Sequence, residues 1–198
     1  MSADPLATPD DGPRWSHGAR REALIEAAIR VVAEGGLRRL TYRSVAAEAG
    51  VAHGLVRHHF GSIDALIEEA LMACIAETRA TISLDPPSGD PGDFARGLIE
   101  SLQREPEAQL FQYEVMLESR RTEALQQPVE SMLTLYKSVV RDGMRRMGLA
   151  ADAASVELVY AALEGIVLQQ AVRGETQGTD MAIDSLRRML AQLKPERR

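Results

Sequence analysis

Residues 41–60 read TYRSVAAEAGVAHGLVRHHF, two short helical stretches hinged at Gly50, and this hinge decides the fold. Thr41 has the side chain to cap a helix start, Val45 and Ala46 fall on an inward face, and Gly50 supplies the left-handed backbone that ends the first helix. Small Ala46 lets two helices cross closely, and Val51 turns the chain back into the core. In the second stretch Val56 and Phe60 lie one turn apart and face inward. His53, Gly54, Arg57 and His58 are left on positions that face out. The pattern is a helix-turn-helix, whose exposed face can donate hydrogen bonds to DNA.

Charge agrees with that placement. The chain of 198 residues has a formal net charge of -6, which argues against nucleic acid if it is spread evenly. It is not: residues 14–60 hold eight Arg against four Glu, together with all four His, while the acidic excess lies on either side. A basic footprint thus coincides with the motif. Hydrophobic residues make up 45% and aromatics only 4%, so the core must be built from Ala, Leu, Val, Ile and Met, which are largely helix formers. The single cysteine, Cys74, excludes an intramolecular disulfide framework, fits a reducing compartment, and reads as a small core residue. Residues 1–13 hold three Pro and three Asp without an apolar centre, unlike a signal peptide. Nowhere do about 18 uninterrupted apolar residues occur. A soluble cytoplasmic protein without a membrane partner is expected.

Working outward, residues 1–15 read as a disordered tail. Leu24, Ala27, Ala28, Val31 and Val32 recur at helical spacing until Gly35 and Gly36 stop the run. After the motif, Ser62 or its followers begin a fourth helix whose apolar face, Leu66, Ala70, Ala73 and Cys74, runs on towards Ile82. SLDPPSGDPGD, at 83–93, is the clearest loop in the chain. Helices are then expected over 94–104, over 107–120, from about Pro128 to near Gly148, over 152–173 and over 179–193, the last two parted by the turn GETQG. No strand pattern of period two and no internal repeat is visible. The fold class is all-α: a DNA-binding domain at 16–62, then a helical domain at 63–198 that includes the linker helix.

Residues 20–74, a helix, the motif and a linker helix, resemble the N-terminal domain of the TetR family of transcriptional regulators. Thr41 begins the second helix, Val45-Ala46 and Gly50-Val51 frame the turn, Phe60 ends the recognition helix, and Ala65-Leu66 open helix four. YAALEGIVLQQAV, at 160–172, is similar to the family's first dimerisation helix. The resemblance implies a ligand-responsive repressor that binds a palindromic operator as a homodimer, with no enzyme activity and no cofactor. It places the recognition helix in the major groove, with His53, Leu55 and Arg57 reading bases and Gly54 allowing close approach. Thr41, Tyr42, Arg43 and His58 then take phosphates, helped by the partial charge of the second helix's N-terminus. Its effector pocket falls on Phe111, Gln112, Tyr113, Met116 and Tyr136, a mixture suited to a small, mainly apolar ligand. The dimer interface is expected on Leu158, Ala162, Gly165 and Ile166 of one helix and Ile183, Leu186 and Leu190 of the next.

Departures from the family pattern stand at three places. Ile63 occupies a position where many members hold a phosphate with Lys, a contact that Arg39 or Arg43 can replace. Arg57 and His59 stand where Tyr is usual, and Leu55 near a usual small hydroxylated residue. Arg57 can give a bidentate pair to a guanine edge, so the operator is expected to be unusual.

Other readings of the same residues stay open at this level. A helix-turn-helix can serve a helical protein that never meets DNA, including a dimeric scaffold whose head binds another protein. His53, His58 and His59 can be metal ligands, but adjacent His58 and His59 point to different helix faces and no Cys or carboxylate cluster completes a site, so no metal is expected. An enzyme lacks a Ser-His-acid set, a phosphate-cradling glycine loop and an HExxH motif.

Overall fold

The computed structural model describes residues 17–81, 84, 86–174 and 176–193. The expected tail at 1–15, Ile82 at the end of the fourth helix, and Ser83, Asp85 and Glu175 in the expected loops lie outside the described residues. The described residues form nine α-helices: α1 His17–Gly35, α2 Tyr42–Glu48, α3 His53–Phe60, α4 Ile63–Thr81, α5 Leu98–Arg104, α6 Pro106–Glu118, α7 Gln126–Arg146, α8 Ala153–Arg173 and α9 Thr176–Gln192. Single 3-10 turns at Leu37–Arg39, Pro91–Asp93 and Glu123–Leu125 lie between them. The chain is all-α, as expected, with no β-sheet among the described residues.

Local chemistry accounts for most helix ends. The Thr41 hydroxyl accepts from the Ser44 amide at 3.0 Å while Ser44 Oγ accepts from the Thr41 amide at 2.9 Å, a reciprocal box that starts α2. Gly50, at φ 66, turns the chain out of α2, and Gly61, at φ 73, ends α3. Ser62 Oγ accepts the Ala65 amide at 3.0 Å and caps α4. Asp152 caps α8 by accepting from Ala154 and Ser155, both at 3.0 Å. Those hydrogen bonds, that from the Ser155 hydroxyl first, hold its carboxyl below the usual range.

The helix expected at 94–104 begins four residues late. Phe94 is extended and wholly buried, Ala95 sits at φ 56 and Gly97 at φ 80, so the chain is knotted into a turn before Leu98. A side chain at Gly97 would come within 2.7 Å of the Thr81 carbonyl, which makes this the point where the turn presses on the end of α4. Arg187 of α9 donates to the Phe94 carbonyl at 2.8 Å. Burying Phe94 and pinning its backbone from α9 outweigh the local helical pattern.

Two apolar cores follow from this arrangement. The first joins Leu24, Ala27, Ala28 and Val32 of α1 to Val45, Val56 and Phe60 of the motif, to Leu66, Ile67 and Leu71 of α4, and to Phe111, Val115, Val129 and Met132 of α6 and α7. The second collects Phe94, Leu98, Val140, Met144, Val156, Val159, Leu163, Ile183, Leu186 and Leu190. Packing is therefore continuous across the 62/63 boundary, with α1 lying along α6 and Glu114 of α6 accepting the Leu37 amide at 3.3 Å. Helix α7 enters both cores.

Candidate DNA-binding face, ligand cavity and pairing surface

Helix α3 is held from beneath by Val56 and Phe60, which are buried, and this turns His53, Gly54, Arg57 and His58 fully outward with Leu55 half-buried beside them. A Cβ placed on Gly54 would meet nothing within 4 Å, so the helix surface there is open to a close approach. At the start of α2, Thr41 and Arg43 are exposed. Tyr42 is placed differently: half-buried, it gives its hydroxyl proton to the Gly61 carbonyl at 3.0 Å and bolts the start of α2 to the end of α3. A phosphate oxygen also needs a donor, and that proton is already in use.

The arginines of the head divide into two sets. Arg21 pairs with Glu69 of α4 and lies over the Phe60 ring at 5.0 Å, and Arg30 reaches Glu48 of α2 at 2.7 Å, so both staple helices together. Arg38, Arg39, Arg43 and Arg57 are exposed and form no ion pair with any described residue. Arg38, which the sequence did not single out, joins the set because the 3-10 turn Leu37–Arg39 presents it beside the motif. The Ile63 side chain, half-buried, packs into the first core. Among the described residues no group of three or more His, Cys, Asp or Glu can hold a metal ion.

Below the head, α4, α6, α7 and α8 enclose a narrow, mainly apolar cavity. Of the five expected pocket residues Gln112, Tyr113, Met116 and Tyr136 line it. Phe111 does not: it is wholly buried on the other side of α6, in the core shared with the head. The lining also includes residues that sequence reasoning missed, Thr78 of α4, Met132 of α7, and Tyr160, Leu163, Glu164 and Val167 of α8. The Tyr136 hydroxyl donates to Gln112 Oε1 at 2.7 Å and lies 3.4 Å from Thr78 Oγ1, so one phenol touches α6 and α4 together. Burial pushes Tyr136 up to about 12. Burial and then the Glu164 carboxylate raise Tyr113 and Tyr160 still further, so all three phenols keep their protons at neutral pH.

The third feature is an uncovered face on the last two helices. Leu158 is 70% exposed and Val172 75% exposed on α8, and Met181 is 65% exposed on α9. A groove between the two helices is lined by Ala161, Ala162, Gly165, Ile166, Gln169 and Arg173 from α8 and by Gly178, Thr179 and Ala182 from α9. Ile183, Leu186 and Leu190, expected at this surface, are instead buried in the second core of the same chain. The apolar stripe of α9 is what holds that helix to the body, and its outward residues are Met181 and Met189. By length and composition α8 is apolar enough to cross a membrane, and 28% of that stretch is buried here.

Comparison with known proteins places these features together. Residues 24–70 match the model for bacterial regulatory proteins of the tetR family, and residues 89–195 match that for the tetracyclin repressor-like C-terminal domain. The HTH-type transcriptional regulator BetI of Agrobacterium fabrum is 26% identical over 165 residues, which cover 80% of each chain. A transcriptional regulator from Rhodococcus sp. Rha1 has the same fold, with a TM-score of 0.75 at 22% identity over 87% of this chain and 96% of its own. The multidrug binding protein EbrR, solved with imidazole, superposes with a TM-score of 0.66 at 28% identity over 90% of this chain and 97% of its own. Other structures of that protein hold proflavin, malachite green or ethidium. With matched models covering both its head and its body, the chain belongs to the TetR family, and is a DNA-binding transcriptional regulator rather than an enzyme.

Proposed function

We propose that this regulator is a cytoplasmic repressor that binds a palindromic operator as a homodimer and leaves it when a small, mainly apolar effector enters the body. One observation carries the DNA side of this reading: α3 is mounted outward with Arg57 on it, and Arg38, Arg39 and Arg43, just before and within α2, are likewise exposed and form no ion pair with any described residue. Arg57, His53 and Leu55 read base edges, while Thr41, Arg43 and His58 take phosphates. A single such head covers few base pairs, so specificity needs two heads on half-sites about 34 Å apart or more. Pairing through the groove between α8 and α9 supplies the second head and covers Leu158, Val172 and Met181.

Release follows from α4. Its first turns lie under Val56 and Phe60 through Leu66 and Ile67, and its last turns bring Thr78 to the cavity against Tyr136. A ligand that wedges between Tyr136 and Thr78 pushes on the end of α4, and a shift of α4 changes the spacing of the two heads. The aromatic molecules bound by EbrR support a ligand of this kind.

Salt dependence separates DNA from a protein partner. Binding to duplex is expected to weaken steeply as salt rises, and Arg43→Ala should lower the slope of log K against log salt by about one unit. Affinity that ignores salt would place an apolar protein partner on the head instead.

A further inference from the structure

Among the described residues one charged side chain lines the cavity, Glu164, and we infer that the effector which fills it is an organic cation with an apolar body. The inference rests on the effector reading of this cavity and adds the charge of the ligand. Glu164 stands on α8 among Tyr113 of α6, Tyr136 of α7 and Tyr160 of α8, with Met116, Met132, Leu163 and Val167 completing the walls. Among the described residues no Lys, Arg or His lines the cavity, and Glu164 forms no ion pair with any of them. The Lys137 ammonium lies against the Tyr160 ring at 5.5 Å from its centroid and is already 2.7 Å from Glu157.

An apolar ligand without charge would gain the walls and bury the carboxylate with only phenols for company. That is costly, because a desolvated carboxylate needs a counter-charge or several strong donors. Tyr113 already gives its hydroxyl proton to the Glu164 main-chain carbonyl at 3.4 Å, and a phenol hydrogen bond in any case leaves a carboxylate's charge in place. A ligand cation does neutralise it, and the tyrosine rings offer their negative faces to the same charge. Glu164 is therefore the residue that selects by charge, and the Met and Leu walls select by shape.

Three probes test this on the full-length protein by calorimetric titration, the decisive pair being benzyltrimethylammonium and neopentylbenzene, its neutral isostere with carbon in place of nitrogen. Ethidium, titrated in parallel, distinguishes a flat aromatic cation from a compact ammonium group. Benzyltrimethylammonium is expected to bind about tenfold or more tighter than its neutral isostere. Glu164→Gln should abolish that preference, and the exposed Glu130→Gln should keep it. The comparison on the unaltered protein decides the matter even if Glu164→Gln fails to fold. Equal or stronger binding of neopentylbenzene, lost on Met116→Trp, would overturn the cation and leave the effector cavity standing. Failure of all three probes to bind would overturn both.

Discussion

Arg57 and Tyr42 show how much one side chain's surroundings decide. Arg57 projects from α3 with no ion pair among the described residues, so none of their carboxylates competes for its five donors. Tyr42, fifteen residues earlier, spends its proton on the Gly61 carbonyl. Tyr42→Phe is expected to lower stability by about 1 kcal/mol and to leave the salt slope of DNA binding unchanged. Chemical denaturation and a salt titration would check the two halves, and a reduced slope would return Tyr42 to the phosphate set. The Thr41 cap and the Gly50 hinge were legible because each is settled by its own chain within three residues. The pocket was less so. Phe111 and Gln112 are neighbours on α6, about 100° apart around the helix, and only the packing partner decides which faces the cavity. Glu164 was hidden for a related reason, since it sits in the run YAALEGIV, read there as an interface stripe.

At the scale of elements, α8 and α9 present opposite cases. The apolar residues of α8 exceed what one side of a helix can bury, and Leu158 and Val172 stay exposed. Those of α9 form a single stripe, and the sequence alone does not say whether a stripe faces its own chain or a second copy. In the structure it faces its own core. Ile183→Ala should therefore destabilise the folded chain by about 2–4 kcal/mol at any protein concentration. Leu158→Arg should leave the fold intact and convert dimers to monomers in sedimentation experiments, with DNA affinity falling accordingly. The reverse pattern, dissociation by Ile183→Ala alone, would move the pairing surface to the α9 stripe. The late start of α5 belongs here too: Phe94 fits a helical pattern, and its burial against α9 is a long-range fact that local periodicity cannot carry.

Across the whole molecule, two cores share α7, and α4 runs from the motif to the cavity, so the head is not an independent bead on a linker. Near the cavity end of α4 lie two buried acids with raised values, the Cys74 thiol pushed up from 9.0 to about 12 and Tyr136 from 10.0 to about 12, both chiefly by burial. The unfolded chain releases these protons first, so stability is full below about pH 9 and is lost as pH rises towards 12. Denaturant midpoints measured from pH 8 upward should fall over that window, while a thiol reagent at pH 8 should leave Cys74 unmodified in the folded protein.

The most direct test of the account is selection of bound duplexes from a random pool, carried out with the unaltered protein and with Arg57→Ala. Two-fold symmetric sites are predicted, with half-sites one helical turn or more apart, and the Arg57→Ala protein should lose its preference at one base pair in each half-site. A protein that retains no duplex at low salt, or an Arg57→Ala variant that selects the same sites unchanged, would contradict a recognition helix that reads the groove.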